Sequence, residues 1–112
     1  MSIPVELAEL PAQVSRLGPG ALLVTNSAEG PPHVASVLVA SDGELLTMGA
    51  GRKTRANIAT NPAMTLVWLA VDGEHCLIVD GTAEEDRHDS VLMRPTSAIL
   101  HRLTRAEGAN GS

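Results

Sequence analysis

The sequence predicts a small, mainly β domain: an antiparallel barrel of about six strands with flanking short helices. Three observations carry this. Short apolar runs alternate with turn residues along most of the chain. Asp42-Gly43 and Asp72-Gly73 each separate two such runs, and Asp-Gly in that position is a strong hairpin signal. The interior must also be aliphatic, because the chain is 44% apolar yet holds no Phe, no Tyr and a single Trp, Trp68. A core of Val, Leu, Ile, Ala and Met suits a small barrel of β-branched strands. A sheet of that size has to hide its edges, and closing on itself does so.

The elements follow in order. Leu7, Leu10, Val14 and Leu17 recur at steps of 3, 4 and 3, one face of a helix over residues 5–17. Ser2 could cap this helix and Pro4 suits its first turn, while Pro11 kinks or interrupts it. Gly18-Pro19-Gly20 ends it. Residues 21–25 read as a strand, 26–32 as a turn, and 34–40 and 44–48 as strands joined at Ser41-Asp42-Gly43. Residues 53–60 read as a helix stopped by Asn61-Pro62, since proline disfavours helix at the residue before it. Residues 64–71 and 74–82 give the next two strands, with Asp72-Gly73 between them. Residues 84–93 read as a short polar helix broken by Pro95. Residues 98–104 fit a helix face or a strand, and a strand that closes the barrel is the preferred reading. The organisation is one domain over residues 1–106 and a disordered tail over 107–112.

Composition narrows the function classes. The formal net charge of −5 opposes binding to nucleic acid, and the stacking aromatics such proteins use are missing. One cysteine, Cys76, allows no intrachain disulfide and fits a reducing cytoplasm. The start of the chain has no basic, apolar leader pattern, and no apolar run reaches the roughly 20 residues of a membrane helix. The expectation is a soluble cytoplasmic protein with no membrane partner.

One segment stands out chemically. Of the 8 basic residues, Arg52, Lys53 and Arg55 lie together around Thr54, just after Gly49 and Gly51. The order is strand, glycine-rich bend, basic cluster, helix start. Glycines allow close backbone approach, and a first helical turn offers unpaired N–H groups and the positive end of a dipole. Cations there oppose the dipole unless something negative relieves them, so the stretch suits a phosphate. A solvated basic turn is the competing reading. The stretch does not follow the P-loop pattern, because Lys53 follows Arg52 rather than glycine.

The ordered set Ala21-Leu22-Leu23-Val24-Thr25, Gly30-Pro31-Pro32-His33-Val34, Asp42-Gly43-Glu44-Leu45-Leu46-Thr47, Arg52-Lys53-Thr54-Arg55-Ala56-Asn57-Ile58, Asn61-Pro62 and Val79-Asp80-Gly81-Thr82-Ala83-Glu84 resembles the pyridoxamine-phosphate-oxidase-like split barrels. These bind FMN or the deazaflavin F420. The resemblance implies a six-stranded antiparallel split β-barrel with flanking short helices, dimeric, with the cofactor at a two-fold interface. It implies that Ser36 and Val37 lie on the strand facing the flavin ring and that Thr47 reaches the cofactor's polyol or phosphate. Gly51, Arg52, Lys53 and Thr54 would receive the phosphate. Arg55 would assist or pair with an acid instead, and Asn57 would serve the helix or the dimer contact. The activity implied is oxidation or reduction of a small molecule. The alternative is a non-catalytic carrier or sensor of flavin, F420 or haem.

Two departures matter. The second strand, residues 34–39, carries no basic residue, and the longer C-terminal section of pyridoxamine-phosphate oxidases proper is faint here at Arg94-Pro95. The expectation is therefore not a true pyridoxamine-phosphate oxidase. No catalytic side chain and no metal-ligand spacing is legible. Trp68 reads as core or dimer interface more than as a flavin contact, Cys76 as a small buried apolar residue, and His33 as a turn histidine.

Overall fold

The computed structural model describes residues 2–70, 73–86 and 90–104. Seven strands form one antiparallel sheet: β1 (Ser2–Pro4), β2 (Gly20–Thr25), β3 (His33–Asp42), β4 (Leu45–Gly49), β5 (Ala63–Trp68), β6 (His75–Asp86) and β7 (Ser90–Arg102). Two helices accompany them, α1 (Leu10–Leu17) and α2 (Arg52–Thr60), with a single 3-10 turn at Leu7–Glu9 before α1. The pairing order runs β1-β7-β4-β3-β2-β5-β6, and β6 also pairs with β7. Strands β2 to β7 therefore form a closed six-stranded ring, and β1 is a short addition beside β7.

Closure follows from the length of β7. Its first residues pair with β4 from Met93 to Ser90, while the whole strand pairs with β6 on the other side. The interior is filled by alternate residues, as strand geometry demands. Leu23, Met48, Leu66, Trp68, Leu77, Val79, Val91 and Met93 are all almost fully buried. Trp68 fills the largest share and donates its indole N–H to the Gly18 carbonyl at 2.9 Å, which fixes the turn after α1 to the end of β5. The core reading of Trp68 holds.

Hairpin chemistry is as expected at Asp42-Gly43. Asp42 pairs with Leu45, and Gly43 has φ +64 while no described non-glycine residue has a positive φ. One positive φ at the first loop position is what a type II′ turn needs. Gly73 likewise has φ +79, though Asp72 lies outside the described residues.

Three expectations are corrected. Ser2 and Pro4 do not open a helix. They belong to β1, which pairs with His101, Leu100 and Ile99, and Ser2 Oγ lies 3.1 Å from His101 Nδ1. The helix begins later, with Pro11 in its first turn, where proline's missing N–H costs nothing. Pro11 starts the helix rather than kinking it. The polar helix expected over 84–93 is also absent: Glu84 lies in β6 and Ser90 to Met93 in β7. Glu, Leu and Met score well as helix formers, but pairing with β4 and across β6–β7 outweighs that weak local preference. Residues 98–102 are strand, as preferred above. The tail over 107–112 lies outside the described residues.

The β6–β7 ladder carries register shifts at Asp80/Gly81 and Ala83/Glu85. At the first, Gly81 faces Pro95, and a Cβ on Gly81 would collide with the Arg94 carbonyl oxygen and come within 2.7 Å of the Met93 methyl carbon. The backbone of β7 occupies the space a side chain would need. Gly81→Ala is expected to cost about 1–3 kcal/mol in urea unfolding. Gly49→Ala, whose Cβ would meet nothing within 4 Å, should stay within about 0.5 kcal/mol.

Candidate functional site

Strand β3 changes partners along its length. Residues His33 to Leu38 pair with β2, and Val39 to Asp42 pair with β4. The ring is split at that exchange, and α2 departs from the end of β4 beside it, next to the stretch of β3 that carries Ser36 and Leu38.

A buried hydrogen bond holds α2 in place. Asn57 donates from Nδ2 to Thr25 Oγ1 at 3.1 Å, and both residues are buried. Ile58 adds an apolar anchor from the same turn. The helix is otherwise polar, so this contact and Ile58 decide which face turns inward. Asn57 thus serves the helix, one of the two roles expected for it.

The start of α2 is rich in donors and poor in acceptors. Gly51 is the N-cap, in extended conformation, and offers no side chain to cap the turn. The first helical bond runs from the Arg55 N–H to the Gly51 carbonyl at 3.0 Å. The N–H groups of Arg52, Lys53 and Thr54 come before it and have no acceptor within the helix. No acidic residue lies in this first turn. Arg52 and Lys53 are exposed, and neither has an ion-pair partner among the described residues. Two cations thus face the positive end of the helix dipole without local compensation. Thr54 is buried. Arg55 is half-buried and donates from Nε to the Ala50 carbonyl at 3.1 Å, bracing the bend that leads into the helix.

An apolar groove of about 520 Å³ lies on the outer face of the sheet, along the stretch of β3 that ends at its exchange to β4, and no α2 residue lines it. Its walls are Leu22, Leu38, Val67 and Leu69, with Ser36 as their one hydroxyl and Trp68 beneath. Register explains the grouping. Leu22 pairs with Ser36 on one side and Val67 on the other, so the three form one outward row. Val37 points inward opposite Ala21 and packs on the core, so it lends the groove its backbone. Thr47 shares the outer face through its partner Ala40 but does not line the groove. The structure therefore gathers Gly51 to Arg55 at one helix start, sets Ser36 and Val37 along the groove, and leaves Thr47 farther along the same face.

Sequence reasoning missed Leu22, Leu38, Val67 and Leu69. A signal was available: Val34 and Leu38 face outward on a strand whose other face is also apolar, and they remain 54% and 73% exposed. A strand apolar on both faces implies that something covers the outer one. His33 is half-buried opposite Thr25, and Cys76 is half-buried opposite His101. No helix among the described residues is long and apolar enough to cross a membrane.

No protein-family model matches the sequence, and no curated protein matches it. Solved structures do match the fold. An F420 reductase superposes with a TM-score of 0.62 at 23% identity, covering 76% of this chain and 94% of its own. The FAD binding protein from Mycobacterium smegmatis gives 0.65 at 14% identity, covering 91% of this chain and 100% of its own. The haem storage protein HutZ from Vibrio cholerae gives 0.58 at 14%, covering 88% and 96%. These are proteins of the pyridoxamine-phosphate-oxidase-like split-barrel kind, and this chain shares their fold.

If Asn57 is what seats α2, Asn57→Ala should lower the unfolding free energy by about 1–3 kcal/mol, because Thr25 is left with an unpaired buried hydroxyl. A double-mutant cycle with Thr25→Val should show coupling of about 0.5 kcal/mol or more.

Proposed function

We propose that this chain is a cytoplasmic flavin-type oxidoreductase that holds FMN, or alternatively F420, at a homodimer interface and passes electrons between it and a small molecule. One observation carries the reading: at the start of α2 three N–H groups have no helical acceptor and two cations have no ion-pair partner among the described residues, while the outer face of the sheet holds an apolar groove. The first set suits a phosphate. The groove suits a flat apolar ring, and its volume of about 520 Å³ falls within the roughly 300–1,000 Å³ of small-molecule sites. The donor set and the groove therefore fit the cofactor that the fold neighbours suggest.

In this reading Gly51 lets the backbone approach the phosphate, the N–H groups of Arg52, Lys53 and Thr54 bind its oxygens, and Arg52 and Lys53 neutralise its charge. Arg55 keeps the bend in shape. Leu22, Val67 and Leu69 exclude water from the ring, and Ser36 supplies one hydroxyl at its edge. A flavin brings the electron and hydride chemistry with it, so the protein's task is binding and orientation. The outer face left open at Val34, Leu38 and Leu69 is where a second copy would dock, completing the groove. The absence of Lys and Arg on β3 favours substrates other than pyridoxamine phosphate.

A second reading rests on the groove's lining. Among the described residues no titratable side chain lines it, so a carrier or sensor that binds flavin, F420 or haem without turnover fits the same walls. A substrate-linked proton would then have to come from solvent.

Titration of the protein with FMN and with F420, followed by Trp68 fluorescence, separates these readings from an empty scaffold. Trp68 is the sole tryptophan and lies under the groove, so saturable quenching is expected. Arg52→Ala combined with Lys53→Ala should weaken binding at least about tenfold, the loss of charge-assisted contacts. Steady-state oxidation of the reduced cofactor by an artificial acceptor supports the enzyme, and tight binding without turnover supports the carrier. Absence of saturation with FMN, with F420 and, in a parallel titration, with haem would refute both.

A further inference from the structure

A second cavity lies away from α2, where the chain's first helical residues cross the tip of the β3–β4 hairpin. It encloses about 450 Å³. Leu7 and Pro11 form one wall and Leu45 and Pro95 the other, with Glu44 and Arg94 at the rim. It differs from the groove in having charge at its mouth. Leu7 is 41% exposed here, a large apolar side chain that the fold leaves partly uncovered.

The rim charges do not cancel. Arg94 gives both Nε and Nη2 to the Glu84 carboxylate, each at 3.2 Å, and this pairing raises its pKa further. Its remaining Nη1 stands 3.8 Å from Glu44 Oε2, beyond a hydrogen bond. The guanidinium is thus spent on Glu84. Glu44 is left with a loose contact and a side chain 92% exposed. Glu6 and Glu9 flank Leu7 and Ala8 and are also exposed. Among the described residues that line this apolar well, the charge left without a close partner is the Glu44 carboxylate.

We infer that this cavity is a binding site for a small organic cation: an amine with an aliphatic or aryl-alkyl body. The apolar body enters between Leu7, Pro11, Leu45 and Pro95, and the ammonium group sits at the rim against Glu44. An anion of the same shape meets Glu44 as a like charge and finds Arg94 already engaged by Glu84. The site is independent of the α2 start, which is built for the opposite charge.

Octylamine, octanol and octanoate share a chain length and differ in head-group charge. Each is titrated into ¹⁵N-labelled protein while the amide signals of Leu7, Ala8, Glu44 and Leu45 are followed. The expected order of affinity is octylamine, then octanol, then octanoate. Glu44→Gln should weaken octylamine about two- to fivefold, the range of an exposed ion pair, and leave octanol unchanged. Ala8→Trp should fill the cavity and abolish binding of all three. The inference is overturned if octanoate binds as tightly as octylamine or Glu44→Gln has no effect on the amine. It is equally overturned if no amide saturates, or if only groove residues such as Leu22, Ser36 and Leu69 respond.

Discussion

The exchange of partners along β3 is the constraint on which the rest depends. A strand that paired with β2 and β4 over the same residues would leave no room beside them for a helix. Because β3 pairs with β2 up to Leu38 and with β4 from Val39 onward, the ring stays closed while residues 33–38 have no pairing to β4. The Val39 N–H still finds the Pro19 carbonyl at 2.8 Å, so the exchange leaves that donor paired. Helix α2 follows from the end of β4 and turns its Asn57 onto Thr25, which pairs with His33 at the far end of the β2–β3 ladder from the exchange. The groove runs along the outer face beside the part of β3 that ends at this exchange.

The start of α2 carries exposed cations and no acid in its first turn, the arrangement on which the proposed phosphate site rests. A helix of this composition would gain from an acid in its first turn. Instead the sequence supplies Gly51, Arg52 and Lys53, and Arg55 is committed to the Ala50 carbonyl. Stability alone gives no reason for that choice. A ligand phosphate does, since the same groups that repel one another become complementary to it. The groove completes the argument from the apolar side, because exposed Leu38 and Leu69 lose contact with water once a ring or a partner covers them.

Much of the fold was legible because its signals are local. Asp42-Gly43 dictates a tight hairpin, Asn61-Pro62 stops α2, and Gly18 ends α1 with φ +94. The misreadings are places where distant pairing decides. Ser2 to Pro4 become a strand only because β7 offers them an edge, and nothing within the first residues shows that edge. Glu84 and Val91 look helical until β6 and β7 are laid side by side. The site divides in the same way. Gly51 to Arg55 are consecutive, so their shared chemistry could be read directly. The groove draws Leu22, Ser36 and Val67 from three strands, and only the register joins them.

The central claim is that the start of α2 binds a phosphate, and the comparison of FMN with riboflavin tests it most directly. The two share the ring and polyol and differ in the phosphate alone. The account predicts that FMN binds at least about tenfold more tightly. It also predicts that FMN shifts the backbone amide signals of Arg52, Lys53 and Thr54, while riboflavin leaves them in place. Equal affinity for the two, or FMN binding that does not move those three amides, would contradict it.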